Sequence, residues 1–219
     1  MSPSELDPYT ANAEKNVHTP QEKIQGRTYY LRSFYRVLTP SIGLHEIIKG
    51  AKVGMLTTRS TDGSLHSRAM TPASPTSDTQ LNLVFLANNA SHKFDEIEND
   101  AHVNVSFFSN DTTAWASFSG KARISRDQDV IKKYWSSYVS AYFGDLKDGV
   151  HKGDQSDPRI SVIEVLPDEI RYWMPTKGAI GRAIEVGVGA ITGKVSAPGE
   201  IRTLSGAEIK LVEGLHSSE

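Results

Sequence analysis

Between Val53 and Lys93 the chain reads as strand, turn, strand, strand and then a step into a helix, an order that leaves few folds open. The runs VGMLTTR (53–59) and SLHSRAMTPAS (64–74) flank Thr61-Asp62-Gly63, where glycine supplies the positive φ that a tight hairpin needs. LNLVFLANNASHKFDEIEND (81–100) follows as an apolar strand that breaks at Asn88-Asn89 into an amphipathic segment. This layout sets up Arg68, Ser91, His92 and Lys93 as partners for one anion. A phosphate at a helix start meets unpaired N–H groups, the positive end of the helix dipole and the nearby cations together.

A chain of 219 residues is long enough for one well-buried domain and short for two. Its 24 basic and 26 acidic residues nearly cancel, which argues against a generic nucleic-acid or anionic-membrane binder. The absence of cysteine excludes disulfides, thiol catalysis and thiolate metal sites, and points weakly to a reducing compartment. No leader pattern opens the sequence and no apolar run approaches membrane-spanning length, so a soluble, cytoplasmic protein is expected. His45, His66, His102 and His151 lack ligand spacing, and Asp145, Asp148, Asp154 and Asp157 do not match a calcium loop, so no metal is expected.

Residues 1–18 read as a loose arm, 19–206 as a single domain and 207–219 as a polar tail. Thr19-Pro20-Gln21-Glu22 starts a helix, with threonine as N-cap and proline in the first turn. A short helix fits 44–52, where Leu44, Ile47 and Ile48 share a face. Strands are expected over 101–109 and 112–125, and one amphipathic helix from the Asp127 cap to Phe143, with Val130, Tyr134, Tyr138, Val139 and Tyr142 on its stripe. A polar loop covers 144–158, two strand-like runs flank Pro167-Asp168, and the glycine-punctuated stretch 178–206 is hard to read. The expected fold is mainly β within the α+β class, an antiparallel barrel or closed sheet with a few covering helices.

Residues 27–43 (RTYYLRSFYRVLTPSIG) are basic and aromatic, unlike their flanks. Without them the flanks join into one amphipathic helix that places Ile24, Leu44, Ile47 and Ile48 on a single face. This suggests a retained intron in the gene. The alternative is a genuine second helix, packing Leu31, Tyr35 and Leu38 on the barrel.

The motifs GMLTTR (54–59), HSRAM (66–70), VFLANNASHKFDEIEND (84–100), WASFSGKARIS (115–125), DPRISVIEV (157–165) and IRYWMP (170–175) resemble, in order and spacing, the FMN-binding split barrels related to pyridoxamine 5′-phosphate oxidase. The resemblance is to the general-stress-protein branch, and within it to fungal blue-light-induced proteins. It implies a split β-barrel that binds FMN as a homodimer. Arg68 would reach the phosphate, Ala69 and Met70 would run along the isoalloxazine edge, and Leu86 and Ala87 would present backbone to the flavin. Ser91, His92 and Lys93 would complete the phosphate cradle, His92 standing where the oxidase commonly has arginine. Trp115 would sit near the ring, and Trp173 matches a tryptophan that family dimers contribute from the partner subunit. Taken singly, each of these residues has an ordinary structural reading: a solvated arginine, a helix cap, core indoles.

No residue announces a general acid or base. The resemblance implies an FMN-dependent oxidoreductase with a small-molecule redox partner, NADH or NADPH among the candidates. The oxidase's Arg-x-His substrate motif is not matched in GAIGRAIEV (178–186), where Arg182 has no histidine two positions on, so true pyridoxamine-phosphate oxidation is not expected. A flavin-buffering stress protein without turnover, or a split barrel holding haem or a deazaflavin, remain as alternatives.

Overall fold

The computed structural model describes residues 7, 18–25, 27–32, 35–40, 43–75, 77, 79–176, 187–188, 190–192 and 199–214, with the backbone alone at 27–32 and 35–40. Helix α1 (Pro20–Gln25) leads to a hairpin of β1 (Arg27–Arg32) and β2 (Tyr35–Pro40), then α2 (Leu44–Ala51). Next come β3 (Gly54–Arg59), β4 (Leu65–Met70), β5 (Leu83–Asn88), α3 (Lys93–Asn99), β6 (His102–Phe108) and β7 (Trp115–Ser125). Helices α4 (Gln128–Tyr134) and α5 (Ser137–Ser140) precede the 16-residue β8 (Ile160–Pro175), and β9 (Gly199–Ser205) and α6 (Gly206–Gly214) follow. The seven-stranded sheet has the order β4-β3-β6-β7-β8-β5, with β9 also pairing β8. Its defined registers are antiparallel. The expected α+β fold on an antiparallel sheet, with helices beside it, is what forms.

Two units divide the chain: residues 52–105 with 118–168, and residues 1–51 with 106–117 and 169–219. In the first, the predicted turn closes β3 on β4, with Ser60 N donating to Ser64 O at 2.8 Å and Gly63 at a φ of 87°. Across the sheet β5 pairs residue for residue with the first part of β8, Leu83 opposite Val165 and Ala87 opposite Ser161. Helix α4 lays Ile131 against Val84, Ile160 and Val162, with Phe143 closing the cluster. Each such side chain withdrawn from water contributes about 1.5–3 kcal/mol.

The expected single helix over 127–143 is interrupted. Asp127 caps α4 as read, accepting from Asp129 N, but Trp135 turns extended and Ser136 starts a separate short helix. Serines at 136 and 137 compete locally for backbone partners, and the aromatic pair before them adds little helix propensity. Tyr138 and Tyr142 therefore leave the stripe, lie exposed, and hydrogen-bond each other at 2.7 Å. Ile131, absent from the predicted stripe, takes the core position.

β8 is continuous where two runs were expected. Its partner changes at Pro167: residues up to Val165 pair β5, and those from Glu169 pair β9. Proline, which has no N–H to donate, falls where the ladder changes hands. Gly120 on β7 lies against this spot.

In the second unit, α1 begins with a reciprocal cap, Thr19 N donating to Glu22 Oε2 at 2.9 Å and Glu22 N to Thr19 Oγ1 at 3.3 Å. Ile24, Leu44 and Ile47 are all buried. Lys23 Nζ lies 2.6 Å from Glu208 Oε1, and the Tyr172 hydroxyl donates to Lys23 O, so α1 is tied to both α6 and β8. Residues 206–214, expected as a polar tail from 207 onward, form α6 with Ile209 and Val212 buried. Residues 27–32 and 35–40 are strands rather than the alternative helix, and among the described residues they pair only with each other. Arg27 opposes Pro40, so the chain leaves and returns side by side. The stretch 178–186 lies outside the described residues.

Two outcomes follow. A Cβ at Gly120 would lie 2.7 Å from Pro167 Cα and closer still to Leu166 O. Gly120→Ala should cost about 1–3 kcal/mol in denaturant unfolding, and an unchanged midpoint would show that the backbone there yields. Deletion of 27–43 should leave far-UV circular dichroism and cooperative unfolding in place. Loss of cooperativity would show instead that the hairpin belongs to the fold.

Candidate functional site

The register of the first hairpin decides which side chains meet. Thr58 opposes His66 and Leu56 opposes Arg68, so Thr58, His66 and Arg68 share one face, as direct and diagonal neighbours. Helix α3 packs on β3 and brings Glu96 to that face. Glu96 Oε2 accepts from Arg68 Nη2 at 2.6 Å and from the Thr58 hydroxyl, which in turn accepts from Arg68 Nη1. His66 Nδ1 stands 2.6 Å from Glu96 Oε1. An ionised carboxylate only accepts, so His66 Nδ1 carries a proton here.

The Glu96 side chain is 9% exposed and that of Arg68 23%. Burial pushes the Glu96 carboxyl up, but hydrogen bonds from Thr58, His66 and Arg68 outweigh it and hold the group at about 2. Arg68 and Glu96 form a charge-assisted pair whose removal on either side would leave a largely buried charge alone.

The break after β5 is held by its own asparagines. Ala90 N donates to Asn88 Oδ1 at 3.0 Å, and Asn89 Nδ2 donates to Pro158 O at 2.9 Å. The Ser91 hydroxyl donates to Asn88 O at 2.7 Å and accepts from Lys93 Nζ. Ser91 therefore does not cap the helix as expected. The cap position falls to His92, without a side-chain bond. With seven residues α3 has little dipole to offer, and any anion here must rely on the cations.

Those cations feel each other. Burial, and behind it the positive charge of Arg68, hold the Lys93 ammonium below its ordinary 10.5, with Glu96 pulling the other way. The structure thus brings Arg68, Ser91 and Lys93 into one neighbourhood. It does not add the His92 side chain, which is 98% exposed and leans toward Asp95 at 3.8 Å. Leu86 is half-buried and Ala87 buried in β5, while on β4 Ala69 is exposed and Met70 half-buried. Trp115 and Trp173 belong to the other unit. Trp115 is half-buried in β7. Trp173 is 8% exposed and packs where a Cβ on Gly199 would have to go, and among the described residues its indole N–H has no partner.

Residues 41–196 match the family described as pyridoxamine 5′-phosphate oxidase like. The chain belongs to that family. It is similar to the protein bli-3 of Neurospora crassa, 38% identical over 174 residues that cover 79% of this chain and 83% of that protein. General stress protein 26 of Bacillus subtilis is 30% identical over 130 residues, 58% of this chain and 82% of its own length. A solved Clostridium acetobutylicum structure, described as related to general stress protein 26 and of the pyridoxinephosphate oxidase family, superposes with a TM-score of 0.53. At 13% identity, over 75% of this chain and 93% of the other, that likeness speaks for the fold.

Sequence reasoning did not find Thr58, His66 or Glu96. The hairpin register contained two of them, since a strand pair closed at Gly63 forces Thr58, His66 and Arg68 onto one face. Glu96 sits three residues beyond Lys93, within one helical turn.

The folded-state value of Glu96 lies below its ordinary 4.5. Its ionised network therefore stabilises the fold above about pH 4.5, and that contribution is lost as pH falls toward about 2. Glu96→Gln should flatten the acid side of a thermal-unfolding profile over this window. A variant that follows the wild-type acid slope would contradict the assignment. Among the described residues no helix is long and apolar enough to cross a membrane, and no group of three or more His, Asp or Glu could hold a metal ion.

Proposed function

We propose that this protein binds FMN, with the phosphate between Arg68, Lys93 and Ser91, and that it works as a flavin-dependent oxidoreductase. One observation carries the reading. Arg68 and Lys93, both partly buried, gather beside the Ser91 hydroxyl, which accepts from Lys93 Nζ, and the charge of Arg68 disfavours that of Lys93. Like charges gathered beside a hydroxyl cost free energy in the free protein and are relieved by a dianion.

The residues present fit that ligand. Arg68 offers a planar fork, Lys93 a compact charge and Ser91 a hydroxyl, the donor set a phosphate dianion takes. Backbone from Leu86–Ala87 and the half-buried Met70 would border the flavin ring. The bound flavin would supply the electron chemistry, while the chain binds, orients and shields it. Family membership supports the reading, as does the relation to a protein named for general stress. We place the protein as a homodimer, with NADH or NADPH as candidate donors, and not as a pyridoxamine-phosphate oxidase.

A specific observation favours a second reading, a flavin-holding protein without turnover. Glu96, the carboxylate of this network, is held at about 2 and stays ionised near neutrality, which suits a positioning role better than proton transfer. Anaerobic addition of NADH or NADPH to the loaded protein separates the two. Bleaching of the flavin absorbance at a useful rate supports the oxidoreductase, and its absence supports the holder.

The first test is retention of a yellow chromophore after incubation with FMN and desalting. Arg68→Ala and Lys93→Ala should each weaken FMN binding about ten- to hundredfold in a fluorescence titration, the range expected for one charged hydrogen-bond partner. A colourless wild-type protein, or variants that bind as tightly as it does, would sink the assignment.

A further inference from the structure

We infer that Glu96 is a positioning residue for the anion site, holding the Arg68 guanidinium, together with Thr58 and His66, in the orientation that an incoming phosphate meets. The inference rests on the FMN reading above.

Arg68 projects from β4, the edge strand of the sheet, and among the described residues no strand pairs on its outer side to confine it. A free arginine carries rotamer entropy that a ligand would otherwise have to overcome. Here the entropy is spent on folding. Nη2 is fixed by Glu96 Oε2 at 2.6 Å, and Nη1 by the Thr58 hydroxyl, which itself donates to the same carboxylate oxygen. The other carboxylate oxygen is held by His66 Nδ1 at 2.6 Å, so Glu96 cannot swing away. Among the described residues these contacts engage one hydrogen on each Nη, and the remaining donors of the fork are left for an anion.

Glu96 also stands on the helix that Lys93 opens, so the element that carries one cation orients the other. Its charge acts on Lys93 in the sense opposite to that of Arg68, keeping the pair of cations tolerable before a ligand arrives.

Two accounts of Glu96 differ in sign. As a bystander charge, a carboxylate beside a phosphate site repels the phosphate, and removing it tightens binding. As the anchor of Arg68, its removal releases the guanidinium and weakens binding.

The experiment titrates FMN and riboflavin into the full chain and into Glu96→Gln, Glu96→Ala, Arg68→Ala and the Arg68→Ala/Glu96→Ala double variant, at fixed pH and low salt. Glu96→Ala should weaken FMN binding about tenfold while riboflavin, which has no phosphate, binds as before. Glu96→Gln keeps an acceptor oxygen without the charge and should fall between Glu96→Ala and wild type, which supplies the answer if the alanine variant does not fold. The double variant should bind FMN no more weakly than Arg68→Ala alone, because Glu96 acts through Arg68. Tighter or unchanged FMN binding in the Glu96 variants, losses that add in the double variant, or an equal loss of riboflavin would each overturn the positioning role while leaving the flavin site standing. A wild-type protein that binds no FMN would overturn both.

Discussion

A carboxylate buried under a two-stranded hairpin is the constraint on which the candidate site depends. Glu96 is withdrawn from water by helix α3, and a buried carboxylate persists only when its lone pairs are answered. Thr58, His66 and Arg68 answer them, and each can do so only in the one register that the Gly63 turn imposes. A slip of one residue in β4 would send His66 and Arg68 to the face opposite Thr58. The pair thus ties the sheet edge to the helix and leaves Arg68 beside Lys93 and Ser91. The polar network that this register brings together is also the one that shapes the site.

The second unit solves a related problem by other means. Helix α1 is only six residues long, too short to be stable alone. It is fixed by a capping box at its start, by the buried Ile24, and by polar ties from Lys23 and Tyr172 to neighbouring elements. Among the described residues the hairpin that follows it makes no strand pair with the main sheet. The hairpin's first and last residues, Arg27 and Pro40, oppose each other, and Ile24, Leu44 and Ile47 in the helices on either side of it are buried.

Legibility in the sequence followed the locality of the signal. The Gly63 turn, the Asp127 cap and the Thr19 N-cap are short-range devices formed as read, and the structure adds the Glu22 half of a capping box at Thr19. The helix beginning at Gly206 carried the same kind of signal, Ser205 with Glu208 three residues on, and was passed over because glycines and polar residues surround it. The break at Trp135-Ser136 was missed because spacing continued the stripe, while serines and the tertiary environment stopped the helix. Trp173, matched by its motif to a tryptophan that family dimers contribute from the partner subunit, is 8% exposed and packs beside Gly199. For the candidate site, strand order pointed to Arg68, Ser91 and Lys93, which the structure brings into one neighbourhood, but the Glu96 partner of Arg68 becomes visible only when α3 packs on β3.

The most direct measurement is a crystal structure of the protein grown with saturating FMN. The account predicts the phosphate within hydrogen-bond distance of the Arg68 guanidinium, Lys93 Nζ and the Ser91 hydroxyl, with the Arg68–Glu96 pair still closed. Flavin bound elsewhere, or a phosphate reached by neither Arg68 nor Lys93, would contradict it.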